Sequence, residues 1–187
     1  MAYTVFESIN MGSTHYAERI FDCVCDQDVE NGTFGYMGDL AEGYEHVYVF
    51  VPGCADGEVV VVADQPAWNE DECRMTNQRR DKFIIPAGTA FRVRVVKKND
   101  EFGITLPGFV SASQELVSTT QDYTDTKLYA TIDGDTGKLS CSTSATDGAI
   151  MEGKIMRKRI LGGTLVTPVR TYGDTQTIYE IKVESLA

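Results

Sequence analysis

The stretch Lys82-Phe-Ile-Ile-Pro-Ala-Gly-Thr-Ala-Phe-Arg-Val-Arg-Val-Val96 constrains the fold most. Phe91, Val93 and Val95 alternate with Arg92 and Arg94, the two-residue period of a strand with one apolar face. Phe83-Ile84-Ile85 is a second short run of aromatic and β-branched types. Between them Pro86 offers no backbone N–H, and Gly88 can take positive φ. The expectation is strand, turn, strand, with one face buried and the other wet and positive.

The same rhythm recurs along the chain. Ile20–Cys25, Thr33–Met37, His46–Val51, Lys127–Ile132, Ile150–Arg157, Thr164–Tyr172 and Thr177–Val183 read as strands between Gly-rich turns. Glu58-Val-Val-Val-Val62 is continuously apolar, as a strand buried on both faces would be. Asn31-Gly32 is a hairpin signal. In Thr177–Val183, Ile178, Glu180 and Lys182 share one face, opposite Thr177, Tyr179, Ile181 and Val183. Ser111–Gln114 fits a single helical turn. Residues 64–81 break the rhythm and read as an insertion, either a short helix capped at Asn69 or an exposed loop. The fold class is therefore all-β: a barrel or sandwich of roughly ten short strands over 20–187.

Residues 1–19 keep neither a two-residue nor a 3.6-residue period. Tyr3, Phe6, Ile9, Met11 and Tyr16 suit an extended N-terminal arm lying on a neighbouring subunit, or a terminus packed on its own domain.

The formal net charge of −11 argues against a nucleic-acid partner, which calls for a basic footprint. No apolar run approaches a membrane span and no signal sequence opens the chain, so synthesis in the cytoplasm is expected. Five cysteines are present: Cys23, Cys25, Cys54, Cys73 and Cys141. Cys23 and Cys25 would share a strand face, but with His15 and His46 the only imidazoles a metal site is short of ligands, and free thiols are expected. No Gly-x-Ser-x-Gly, His-Glu-x-x-His or phosphate loop occurs, so no enzyme activity and no cofactor are expected. Asp133-Gly-Asp-Thr-Gly137 reads as a hairpin turn, short of the donors a calcium loop needs. Lys154, Arg157, Lys158 and Arg159 form the densest basic cluster, either a dock for an acidic protein surface or a solvated strand end.

Two resemblances bear on function. Pro86-Ala-Gly-Thr-Ala-Phe91 is similar to the Pro-x-Gly turn of the second cupin motif, but Phe91 stands where metal-binding cupins place a histidine. Asn31-Gly-Thr-Phe-Gly-Tyr-Met-Gly-Asp-Leu40, then Phe83-Ile-Ile-Pro-Ala-Gly-Thr89 and a Gly-rich β tail, resembles the decoration (cement) proteins of tailed-bacteriophage heads. That resemblance covers the style of residues 1–100. It implies a structural virion protein on the outer capsid surface that bridges major capsid protein subunits, with the possibility of self-association. Anchor contacts are then expected from Tyr3, Phe6, Ile9, Tyr16, Trp68 and the basic cluster, since interface hot spots favour aromatics and arginine. The alternatives are a carbohydrate- or small-ligand-binding β-sandwich using Trp68, Tyr44 and Tyr48 as stacking surfaces, or another virion part such as a tail or head-fibre subunit.

Overall fold

The structure is a computed structural model that describes residues 2–14, 19–66, 80–123, 125–161 and 176–187. The expected strand at 164–172, most of the expected insertion, and Tyr16, His15, Trp68 and Cys73 lie outside the described residues. The chain is all-β, with eleven strands and one helix in two sheets among the described residues.

One sheet is a closed five-stranded barrel: β2 (Ile20–Val24), β4 (Val47–Pro52), β3 (Phe34–Leu40), β5 (Val60–Ala63) and β6 (Phe91–Val95). The other has six strands in the order β1 (Phe6–Asn10), β7 (Glu101–Thr105), β11 (Gln176–Leu186), β10 (Met151–Leu161), β8 (Tyr129–Ile132) and β9 (Leu139–Ser142). Helix α1 (Ser111–Thr119) contacts β9.

Strand alternation sorts the side chains into two cores. Cys23, Cys25, Phe50, Val61, Ala63, Phe91, Val93 and Val95 fill the barrel. Val60 and Val62, the alternate residues of β5, face the second core with Phe102, Ile104, Tyr179, Ile181 and Val183 of the six-stranded sheet. β5 is thus buried on both sides, as its unbroken apolar run requires. One wall of the barrel doubles as the cover of the neighbouring sheet.

The 133–137 turn between β8 and β9 locks the two sheets together. Phe34 N donates to Gly137 O at 2.8 Å, and Gly53 N donates to Phe34 O at 3.0 Å. Gly137 has φ +67°, and a Cβ there would lie 2.1 Å from Phe34 O. Only glycine fits that approach. Asp133 is occupied within the turn, accepting from Thr136 N at 3.0 Å, in keeping with a hairpin.

Four expectations need correction. Residues 2–14 are not a free arm: β1 pairs antiparallel with β7, and Thr4, Val5, Phe6, Met11 and Ser13 are buried. The segment lacks a simple period because it alternates between core contacts and ion pairs. Asn31-Gly32 does not close a β2–β3 hairpin, since β2 pairs in parallel with β4 and antiparallel with β6. Its turn instead clamps a distant loop: Asn31 Nδ2 donates to Gln65 O at 2.8 Å, and Gln65 N donates to Asn31 Oδ1 at 2.9 Å. Phe83-Ile84-Ile85 forms no strand but a single bridge, Val29 to Ile85. The Arg92–Arg94 face is not wet throughout: Arg94 is buried, pairs with Asp64 and donates to Ser13 O at 3.3 Å. The N-terminal segment covers it.

Helix α1 runs over nine residues, longer than the expected turn. Its apolar contribution is small, from Val117 with Ser113 buried and Leu116 half-buried, too little to leave a visible helical period.

Candidate functional site

The expected anchors separate once the chain folds. Phe6 is 2% exposed, with its ring 5.7 Å from that of Phe102, so it cannot anchor a partner. Tyr3 is half-buried, its N–H donating to Asp81 O at 2.8 Å. Ile9 stays exposed on β1.

The basic cluster divides between the two faces of β10. Arg157 lies opposite Glu180 and Arg159 opposite Ile178, on the sheet's outer face. Glu180 accepts from both guanidiniums, Arg157 Nε at 2.5 Å and Arg159 Nε at 2.6 Å. Arg159 also pairs with Glu7, whose other oxygen takes Arg80 Nη1 at 2.7 Å. The chain of charges Arg80–Glu7–Arg159–Glu180–Arg157 therefore pairs two of the cluster's four cations, Arg157 and Arg159, with two carboxylates. Hydrogen bonding to Glu180 raises the pKa of Arg157 further. Lys154 lies opposite Lys182 on the same face, and Lys182 Nζ is 3.8 Å from Glu101. Lys158 lies opposite Tyr179, on the inner face.

A different surface gathers exposed apolar groups. On β4, Phe50 points into the barrel, leaving Val49 and Val51 on its outer wall. Val24 sits directly opposite Val49, and Tyr36 opposite Val51. These valines, with Ala41, Tyr44 and Pro52, line a groove of about 670 Å³ with Asp26, Gln27 and Glu42. Val49 is 38%, Tyr44 45% and neighbouring Leu40 56% exposed. The signal was present in the sequence: Val47-Tyr-Val-Phe-Val51 is apolar at both alternate sets, so one apolar set must face outward on a barrel too narrow to hold both. Tyr44 and Tyr48 do not form a stacking pair for a ligand. Tyr48 turns toward the barrel core, its ring edge-on to Phe21 at 6.0 Å.

The described thiols are free, with Cys23 and Cys25 buried and Cys54 and Cys141 half-buried. Burial, helped by Asp22, pushes Cys23 up to about 12, and burial pushes Cys141 up to about 12. Burial also raises Cys25 and Cys54. Burial thus favours the protonated form of all four, which is the less nucleophilic one. His46 is exposed at the start of β4. No group of three or more metal-ligating side chains is found among the described residues. The groove on the barrel wall is suited to complementary packing: a rigid apolar floor with carboxylates at its margin.

No protein-family model, no curated protein and no solved structure matches this chain.

Proposed function

We propose that this chain is a structural subunit that decorates the outer surface of a tailed-phage capsid and stabilises the lattice by bridging major capsid protein subunits. The observation that supports this reading best is the apolar stripe Val24, Val49 and Val51 on the barrel wall, with Tyr44 beside it and Asp26 and Glu42 at its edge. Protein interfaces have this anatomy: an apolar, often tyrosine-bearing centre inside a polar rim. A closed barrel fixes the stripe in place, so little ordering entropy is lost on docking. The acidic margin and the net charge of −11 suit a partner surface carrying basic groups around an apolar patch. An interface of ordinary size, roughly 1,600 Å² in total, gives modest affinity per contact, and many copies on one shell make the sum strong.

The test is co-sedimentation of the purified protein with undecorated heads built from the capsid protein encoded in the same genome. Saturable, stoichiometric binding is expected, with Val49→Asp abolishing it while leaving the circular dichroism spectrum and melting temperature of the free protein unchanged. Failure of the wild-type chain to bind overturns the proposal.

A further inference from the structure

The six-stranded sheet treats its edges unequally. Its terminal strand β1 is covered: Arg80 reaches Phe6 O, and Tyr3 N bonds Asp81 O. The other terminal strand, β9, is covered by the start of α1: Val110 N donates to Leu139 O at 2.9 Å, and Cys141 N donates to Ser113 Oγ at 2.8 Å. β10 is different. On the side away from β11 it pairs with β8 through Glu152–Lys154, donates once more from Ile155 N to Leu128 O at 3.0 Å, then runs on to Leu161. Among the described residues no strand lies against 156–160 on that side, although β11 continues the ladder on the other. Met156 is 49% and Ile160 68% exposed there.

Lysine and arginine commonly guard such an edge. Here Arg157 and Arg159 are drawn across the outer face to Glu180 and Glu7, away from it. Lys158 faces inward, toward a groove of about 690 Å³ between Tyr3, Leu106, Pro107 and Ser118, floored by Tyr179 and Ile160. Its ammonium rests on neutral acceptors alone, Thr120 O at 3.2 Å and Gln121 Oε1 at 3.0 Å, with no carboxylate in ion-pair range among the described residues.

We infer that the outer half of β10 accepts an added strand from a partner protein, with an acidic side chain opposite Lys158 and an apolar one opposite Ile160. Directly opposed residues on paired strands point to the same face. An acid opposite Lys158 therefore meets an ammonium that only neutral acceptors hold among the described residues, and the residue two positions along covers Ile160. The ladder supplies affinity and the two side chains supply specificity. A second copy of β10 fits poorly, because it would set Arg157-Lys158-Arg159 against itself. This site is separate from the barrel groove, so its test does not depend on capsid binding.

The probe is an acetylated seven-residue peptide, Thr-Val-Thr-Glu-Thr-Val-Thr, which presents glutamate flanked by valines in either strand direction. Titrated into the full chain, it is expected to give saturable amide shifts centred on 156–160. Lys158→Gln, which keeps a donor for Thr120 and Gln121, is expected to weaken binding about tenfold, the size of one charge-assisted hydrogen bond. A peptide with lysine in place of glutamate is expected to weaken it at least as much. An unchanged urea midpoint for Lys158→Gln shows that the fold is retained. The inference is overturned by absence of saturable shifts, by shifts centred on the barrel wall, by equal affinity of the two peptides, or by concentration-dependent dimerisation of the free protein through β10.

Discussion

Glu7 on the first strand and Arg159 on the tenth are ion-paired across the six-stranded sheet. Glu7, Gly103 and Glu180 occupy one cross-strand row, and the missing side chain at Gly103 leaves the two carboxylates free to share Arg159. A Cβ at Gly103 would lie 2.6 Å from Ile178 Cγ2. The first residues of the chain and the last strands are thus parts of one unit.

Phe6 carries the apolar half of that attachment. Replacing it with alanine empties a fully enclosed site against Phe102. Phe6→Ala is expected to cost about 3–5 kcal/mol of unfolding free energy, read from urea titration. A loss below about 1 kcal/mol would mean that the segment behaves as a detachable arm after all.

Glu180 carries the polar half. Its side chain is 12% exposed and serves Arg157 and Arg159 together. Glu180→Gln is expected to cost about 1 kcal/mol at low ionic strength, chiefly through Arg159. In about 1 M salt, where the screening length falls to about 3 Å, the difference from wild type is expected to shrink without vanishing, because Glu180 is largely shielded from solvent. A cost that does not respond to salt would show that packing, not charge, governs this row.

The lock between the two sheets makes a sharper contrast. Gly137→Ala places a methyl group 2.1 Å from Phe34 O at positive φ. Gly134→Ala, in the same turn, meets nothing within 4 Å. The first is expected to lose about 2–4 kcal/mol and the second to stay within about 0.5 kcal/mol of wild type. Equal effects would remove this turn as the joint.

Alkaline pH is expected to destabilise the fold. Cys23 and Cys141 are pushed up to about 12 from an ordinary value of 9.0, and Tyr123 to about 12 from 10.0, in each case chiefly by burial. Above pH 9 the unfolded chain releases these protons while the folded chain retains them. Stability contributed by these groups is therefore full below pH 9 and is lost as pH rises toward 12. Urea midpoints measured between pH 7 and pH 10.5 should fall, and the fall should be shallower in Cys23→Ala. A flat profile would contradict the burial of these groups.

The sequence carried much of the strand pattern. Phe91, Val93 and Val95 fill the barrel as their spacing implied, as do Cys23 and Cys25, and β11 splits its two faces as read. These positions were legible because the strand face that carries them meets one constant environment, a core. The N-terminal segment was not, because Phe6 enters a core while neighbouring Glu7 is held by arginines. Arg94 looked solvent-facing because its cover, around Ser13, comes from 81 residues away. The basic cluster looked like a dock because its neutralising partners, Glu7 and Glu180, lie far off in the chain. Side-chain type marks strand faces well. It does not say which distant segment will cover them.

If this chain braces capsid subunits as proposed, the temperature at which heads lose their DNA must differ with and without it. Saturating protein is expected to raise that temperature, and Val49→Asp is expected to leave it at the undecorated value. Heads that release DNA at the same temperature with and without wild-type protein would contradict the account.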